Sequence, residues 1–501
     1  MRPLLSPREM AAADEATIAS GTPGFTLMER AGRAVARAAV AVAGRRYGAR
    51  VAVVCGKGNN GGDGFVAARV LRREGVAVRC LLLADESDYR GDAGAHLQEM
   101  TRAGVEARSF EAELLNGRDV IVDAIFGTGF RGRAEGRPAA AIEAINSSSA
   151  RVLAVDIPSG ISGDSGAAEG PAVVADLTVA IAARKLGTVL PPGAGHAGRV
   201  EVVDIGIDPG ESSVQLPEAA DVVALLPERA SDAHKRTTGS VLVLAGSDGM
   251  SGAALLTTRA AARMGAGYVT LVSTSYVDHA KRNVIPEAVS RIVKDRSELG
   301  PEVLEEFATD FERADVVAMG PGLGRGARQR DLIEAALSEI EVPLVLDADA
   351  LNGLAEDTTL LGKRTNPTVI TPHPGEMGAL LQLSAGEVQA DRLGAARRAA
   401  GELGCVVLLK GPGTIVVPPE GAAIVNPTGG PELATAGTGD VLTGVIAALL
   451  GEHLEPHQAA VAGAFVHGLA GSLAGRAAGG RGVVAWDVAE ALPAAVAELY
   501  E

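Results

Sequence analysis

Two α/β units in series, each built on a parallel sheet with crossover helices, form the architecture this sequence predicts. Three observations carry that expectation. Short β-branched runs alternate with Ala-rich amphipathic stretches along the chain, glycine-rich turns follow several of those runs directly, and one polar segment interrupts the alternation.

In the first half the runs are RVAVVC, VRCLLL, DVIVDAIF, RVLAVDI, ADLTVAI and VEVVDIGI. The segment DPGESSVQLPEAAD, residues 208–221, then brings Pro, Gly, Ser and acidic residues without an apolar period, and reads as a linker. Beyond it the alternation restarts with SVLVLAG, YVTLVS, ADVVAMG, VPLVLDA, PTVITP, CVVLLKG and GTIVVPP. The expected domains are therefore 1–207 and 222–501, which suits a chain of 501 residues. The glycine-rich turns of the two halves differ in detail, so no duplication is inferred.

Composition excludes several function classes. A formal charge of −16 disfavours nucleic acid or an anionic membrane as partner, because a polyanion meets net repulsion. Aromatic residues make up only 3%, so the cores must be built from Val, Leu, Ile and Ala. Cys55, Cys80 and Cys405 are isolated, which points to neither a zinc site nor a disulfide framework and suits a reducing compartment. The N-terminus lacks an uninterrupted apolar region and no window reaches the ~18 apolar residues of a membrane span, so a cytoplasmic protein is expected.

In an open α/β sheet, ligands collect beyond the carboxyl ends of the strands. After VAVVC stands GKGNNGGDG, whose Gly56, Gly58 and Gly61 have the G-x-G-x-x-G spacing of a dinucleotide loop, with Asp85 near the place of a ribose-binding carboxylate. Asn59, Asn60 and Asp63 fit that loop poorly, since a carboxylate repels a pyrophosphate. Further strand ends carry Asp123 with the loop GTGFRGR, Asp156 with IPSG, and Arg184 with Lys185. Asn60, Asp123 and Ser159 offer one carboxylate and neutral oxygens, a set suited to a weakly held monovalent cation. Plainer readings stand beside these: a helix N-cap for Asp63, strand-end turns for Asp123 and Asp156, a solvated surface for Lys185.

In the second half, AGTGD at 436–440 opens an apolar helix pattern, placing backbone N–H groups toward an anion with Asp440 as a general base among them. LLKGPGT supplies Lys410 on a Gly-rich turn, and GPGLGRG and TPHPGE end two more strands. His373, between prolines, reads as a ligand contact or as a turn residue. Asp347 and Asp349 suit either Mg²⁺ through water or a strand-end turn. His467, Trp486 and Met264 are assigned to packing.

GKGNNGGDGFVAARVL, DAIFGTGFRG, VDIPSGISGDSG and DEATIASGTPGFTLMERAG resemble the NAD(P)H-hydrate epimerase domain, over nearly all of the first unit. GTGD with KGPGT, GPGLG, TPHPGE and GAALLTTRAAARMGAGYVTLV resembles the ribokinase-like ADP/ATP-dependent NAD(P)H-hydrate dehydratase, over essentially all of the second. The resemblance implies an N-terminal Rossmann-like three-layer domain, a C-terminal ribokinase-like domain, and repair of NAD(P)HX by epimerisation followed by ADP-dependent dehydration of the S form to NAD(P)H, AMP and phosphate. It implies that Asn59, Asn60, Gly61, Gly62, Asp63, Gly127, Thr128, Gly129, Phe130, Arg131, Gly132, Arg133 and Asp156 contact the hydrated dinucleotide in the first unit. Asn60, Asp123 and Ser159 would hold K⁺, with Asp156 and then Lys185 as acid/base candidates. In the second unit Ala253, Gly322, Gly324, His373 and Asp440 would contact the hydrate. Lys410, Gly411, Pro412, Gly413, Thr414 and Gly439 would contact ADP or ATP with Mg²⁺, and Asp440 would be the base. A homo-oligomer is expected from the amphipathic N-terminal helices. The rival readings are a nicotinamide-dependent dehydrogenase, a ribokinase-like small-molecule kinase fused to a dinucleotide-binding domain, and a non-catalytic binding protein.

Overall fold

The computed structural model describes residues 1–229, 231–294 and 296–501. It divides into two compact units, Pro3–Val214 and a second made of Gln215–Glu501 with Met1–Arg2.

The N-terminal unit centres on a seven-stranded sheet in the order Ala107–Ser109, Ala77–Leu82, Arg50–Cys55, Val120–Ala124, Arg151–Val155, Leu177–Ile181 and Arg199–Val203. All of these strands run parallel. Their near-continuous apolar sequences follow from burial on both faces. Val51, Val53 and Cys55 pack with helices Gly24–Ala43 and Asn59–Arg73 on one face. Ala52 and Val54 pack with Ile142 and Ile145 of helix Gly136–Asn146 on the other. The result is three layers. Leu27, Ala31, Val35 and Ala39 of Gly24–Ala43 belong to this core, so the amphipathic pattern of that helix is accounted for inside the unit.

Strand order reverses between Arg50–Cys55 and Val120–Ala124, which opens a crevice at their carboxyl ends. The glycine motif sits there. A Cβ on Gly56 would lie 2.0 Å from the Ile125 carbonyl oxygen, and one on Gly61 would lie 1.8 Å from the Gly56 carbonyl oxygen. Gly58, the N-cap of helix Asn59–Arg73, faces open space. Two of the three glycines therefore serve close approach of backbone to backbone.

The second unit carries parallel strands in the order Val289–Val293, Tyr268–Thr274, Ser240–Leu244, Val316–Met319, Leu344–Leu346, Thr368–Ile370 and Val406–Leu409. Ile415–Val417 and Ala423–Val425 continue the sheet antiparallel, where GTIVVPP was expected to follow the parallel alternation. Helices Ser251–Met264, Thr438–Gly451, Pro456–Ala477 and Ala485–Glu498 contribute to its core. Here the order reverses between Ser240–Leu244 and Val316–Met319, again at glycine-rich turns.

The segment 208–221 is not a bare linker. It contains the whole of strand Val214–Leu216 and opens helix Ala219–Leu225, because Leu216 and Val222 have apolar surface to bury among the Pro, Gly and acidic residues. The Met1 ammonium pairs with Asp221 at 2.6 Å and Arg2 with Glu218 at 2.7 Å, which ties the first two residues to the second unit. Among the described residues no helix is long and apolar enough to cross a membrane.

Replacing Gly61 by Ala should destabilise the N-terminal unit by about 2–4 kcal/mol, since the offending atom is backbone, whereas Gly58→Ala should stay within about 1 kcal/mol. Thermal unfolding of the two variants, followed at the transition of that unit, checks the contrast.

Candidate active sites

A cavity of 580 Å³ occupies the crevice of the N-terminal unit, walled by the helices Pro7–Ala19 and Gly24–Ala43, the turn at Lys57–Asp63 and the loop after Ala124. Asp156 ends strand Arg151–Val155 with φ +69°, a left-handed conformation that costs a non-glycine residue about 1–3 kcal/mol and is concentrated at functional sites. Its Oδ1 lies 2.5 Å from the Lys185 Nζ and accepts from the Ile181 N–H at 3.3 Å, while Oδ2 accepts from the Thr128 N–H at 3.2 Å. Lys185 is 0% exposed and also donates to the Ile181 carbonyl at 2.5 Å. The solvated reading of Lys185 is thereby overturned: a buried ammonium needs a paired carboxylate, and Asp156 supplies it.

Asp63 lies beyond the first turn of helix Asn59–Arg73, whose N-cap is Gly58, so it is no cap. Burial, then the charges of Asp156 and Asp14, push its carboxyl well above the usual range, with Lys185 opposing. Asp14, from Pro7–Ala19, is raised by burial too.

Asn60, Asp123 and Ser159 come together around the Phe126 backbone. Asp123, 0% exposed, accepts from the Ser159 Oγ–H at 2.6 Å, the Ser159 N–H at 2.8 Å and the Ile125 N–H at 3.2 Å. Asn60 donates its amide to the Phe126 carbonyl at 2.9 Å, and Ser159 Oγ accepts from the Phe126 N–H at 2.9 Å. Burial pushes the Asp123 carboxyl up to about 6 despite those donors. A buried carboxylate with only neutral partners, among hard oxygens, fits a cation that would compensate its charge.

Gly127, Thr128, Gly129 and Phe130 line the cavity, Phe130 stacking on Phe126 with centroids 4.5 Å apart. Arg131, Gly132 and Arg133 are exposed, and Arg131 pairs with Asp164 at 3.2 Å. Asn59 and Gly58 form the exposed rim of the same cavity. Asp85 is exposed and outside the lining.

In the C-terminal unit the groups converge on Asp347, at the end of Leu344–Leu346 and 1% exposed. Its Oδ1 lies 2.5 Å from the Lys410 Nζ, and its Oδ2 accepts from the Thr443 Oγ1–H at 2.7 Å. Glu376 approaches the same lysine at 3.8 Å. Asp440 sits in the first turn of helix Thr438–Gly451, beside Gly439, whose Cβ position is 3.3 Å from the Lys410 Nζ. Burial first, and then repulsion from Asp347, push the Asp440 carboxyl up to about 7, with Lys410 opposing. The Thr257 hydroxyl donates to the Asp440 carbonyl at 3.0 Å and pins this turn.

Lys410 opens the loop through Gly411, Pro412, Gly413 and Thr414. Arg392 lies behind it, 5% exposed, its guanidinium donating to the Lys410 carbonyl at 3.4 Å and the Gly413 carbonyl at 3.3 Å. Ala253 lies against Gly322, whose Cβ position is 3.1 Å from its methyl. Gly324 donates its N–H to Asp349 at 3.0 Å. His373 caps helix Pro374–Leu381, Nδ1 accepting from the Gly375 N–H at 2.9 Å, while its side chain stays 55% exposed. His467 is buried in helix Pro456–Ala477, its imidazole pushed down to about 4 by burial.

Residues 241–494 match the family model described as NAD(P)H-hydrate dehydratase, and residues 24–187 match that of the YjeF-related protein N-terminus. The bifunctional NAD(P)H-hydrate repair enzyme Nnr of Moorella thermoacetica is 42% identical over 495 residues, 96% of this chain and 93% of the relative. The chain belongs to the family of bifunctional NAD(P)H-hydrate repair enzymes. The member from Escherichia coli is 37% identical across 87% of this chain and 83% of its own. Among solved structures, the ADP/ATP-dependent NAD(P)H-hydrate dehydratase from Bacillus subtilis, co-crystallized with ATP/Mg²⁺, has a TM-score of 0.50 at 32% identity, covering 56% of this chain and 97% of that one.

Within this repair-enzyme family member, sequence reasoning missed Asp14, Asp92 and Met28 in the first site and Glu376, Arg392 and Thr443 in the second. Glu376 closes TPHPGE after the strand Thr368–Ile370, but its residue type was not singled out there; the others sit neither on a glycine-rich turn nor at a strand end. For Asp14, Asp92, Arg392 and Thr443 a polar position on a helix was the one hint, and Met28 gave none.

Lys185→Met should cost about 3–5 kcal/mol in the stability of the N-terminal unit by stranding Asp156. Arg131→Ala, at an exposed pair, should cost no more than about 1 kcal/mol. Calorimetry on the two variants measures both.

Proposed function

We propose that the N-terminal unit interconverts the R and S forms of NAD(P)HX and that the C-terminal unit dehydrates the S form with ADP, yielding NAD(P)H, AMP and phosphate. The observation that carries the dehydratase half is Asp440, raised to about 7 at a helix N-terminus beside Lys410. A base with that pKa takes a proton near neutral pH, and the first-turn amides face an anion.

Asp440 removes the proton of the ring C6 hydroxyl as its oxygen attacks the terminal phosphoryl of ADP, releasing AMP. Lys410, oriented by Asp347, faces the charge that develops on the transferred group. The C6–O bond then breaks as the ring-nitrogen lone pair moves in and a C5 proton leaves, which frees phosphate and restores the dihydronicotinamide. Ala253, Gly322, Gly324 and His373 would contact the hydrate, and Lys410–Thr414 with Gly439 the nucleotide. Both oxygens of Asp347 and both of Asp349 are already engaged, so Mg²⁺ would be carried by the nucleotide phosphates. Magnesium supplies charge neutralisation on the phosphates when bound.

In the N-terminal unit Asn60, Asp123 and Ser159 would hold K⁺, which supplies a fixed positive field at the cavity when bound. The residues at 59–63, 127–133 and 156 would contact the hydrated dinucleotide, with Asp156 and Lys185 in the acid/base work. The domains run 1–207 and 222–501 in this reading, and the enzyme acts in the cytoplasm as a homo-oligomer.

Supplying purified NADHX epimers with ADP tests the assignment by the return of dihydronicotinamide absorbance. The rate should rise with pH through about 7 and level off above it, because the base must be ionised. Asp440→Asn should lower restoration by about 10²–10⁴-fold while epimers still interconvert. Asp156→Asn should do the reverse and strand the R form. A stable phosphorylated product in place of free phosphate would contradict the dehydratase reading. Exchanging K⁺ for a large organic cation should slow epimerisation and leave the dehydration of the S form at its full rate, as followed by chromatography of the epimers.

A further inference from the structure

Three carboxyl groups lining the cavity of the N-terminal unit, Asp14, Asp63 and Asp92, have no hydrogen bond or ion pair among the described residues, and of these Asp63 is the buried one. Asp63 is 8% exposed and lines the cavity, yet among the described residues its side chain makes no hydrogen bond or ion pair. Its aim is fixed, because a Cβ on Gly32 would lie 2.6 Å from the Asp63 carbonyl oxygen and the helices Gly24–Ala43 and Asn59–Arg73 are locked at that point. It lies beyond the first turn of its helix, where the end charge of the helix has faded.

Asp156, in the same cavity, has the opposite surroundings: Lys185 and two backbone N–H groups satisfy its carboxylate. One carboxylate held in an ion pair and one buried carboxyl without a partner, in the same cavity, divide base from acid. The groups facing Asp63 are Asp156, Asp14, Lys185 and the Cys55 thiol. Lys185 is committed to Asp156, so the remaining neighbours favour the protonated carboxyl.

We propose that Asp63 is the proton donor of the epimerisation, acting on the C6 hydroxyl of the hydrated ring. This inference rests on the epimerase reading above. The C6–O bond breaks, the oxygen leaves as water with the Asp63 proton, and the ring-nitrogen lone pair forms the C6=N1 bond. The ion-paired Asp156 carboxylate stabilises that cation. Water then adds to the other face of C6, the C6=N1 electron pair returns to nitrogen, and the surplus proton passes to Asp156. Transfer of that proton through cavity water back to Asp63 resets the site. No co-reactant is needed, and the incoming oxygen comes from solvent.

The test uses the full chain with K⁺ and purified R-NADHX, and follows epimer interconversion by chromatography. Asp63→Asn should lower kcat by about 10²–10⁴-fold with KM changed less than about threefold. Asp63→Glu, which restores a carboxyl, should recover part of the rate. The wild-type rate should fall as rising pH ionises Asp63, and the residual rate of Asp63→Asn should lack that fall. In H₂¹⁸O each inversion should place one ¹⁸O at C6. Thermal unfolding of Asp63→Asn should match or exceed wild type, since the amide carries no buried charge to ionise. An Asp63→Asn rate within threefold of wild type, or an unchanged fall with rising pH, overturns the role of Asp63 alone. Wild-type protein that leaves the epimers unconverted overturns the epimerase reading itself.

Discussion

A lysine paired closely with one aspartate sets the electrostatics of each unit. Lys185 holds Asp156 at 2.5 Å in the first, and Lys410 holds Asp347 at 2.5 Å in the second. The first pair is buried and Asp347 of the second is buried too, so loss of either lysine strands a buried carboxylate. Each pair also uses the nearby cation, and a further carboxyl group in the same surroundings is left without one. Asp63 and Asp440 are those groups, and both are pushed upward by burial and by the paired aspartate. Asp440, at about 7, exchanges protons with a substrate near neutral pH, which an ordinary aspartate at about 4 does poorly.

The sheets place these pairs. Asp156 and Lys185 follow adjacent parallel strands, Arg151–Val155 and Leu177–Ile181, so their side chains meet at one carboxyl edge. Asp347 and Lys410 follow strands separated by Thr368–Ile370, and the helix after that middle strand brings Glu376 toward the same lysine. Thr443 extends the contact to the helix that bears Asp440, so hydrogen bonds link that helix, the strand end and the lysine. In the first unit the buried Asp123 plays a separate part, with neutral donors only and a cluster of oxygens around it.

Much of this was legible in the sequence because parallel strands buried on both faces announce themselves as apolar runs, and strand ends are where such sheets keep their polar groups. Asn60, Asp123 and Ser159 were singled out on that logic, and they do meet around Phe126. What stayed hidden depends on packing. Asp14 reaches the cavity from the N-terminal helix, whose pattern reads as surface, and Arg392 supports the Lys410 loop from a helix remote in sequence. The upward push on the Asp63 carboxyl comes from burial and then from Asp156 and Asp14, groups that meet only in the folded unit, which no local pattern encodes. The strand and helix at 214–225 were masked by the prolines and acidic residues that surround a few buried apolar side chains.

The central claim is that beside each paired lysine one carboxyl group titrates well above the ordinary aspartate value. Carbon-13 NMR titration of the full chain with labelled aspartate side chains measures this directly, with Asp63→Asn and Asp440→Asn identifying the two signals. The account predicts an Asp440 signal titrating at about 7 and an Asp63 signal titrating well above the ordinary aspartate range. Both signals titrating near the ordinary aspartate value of about 4 would contradict it.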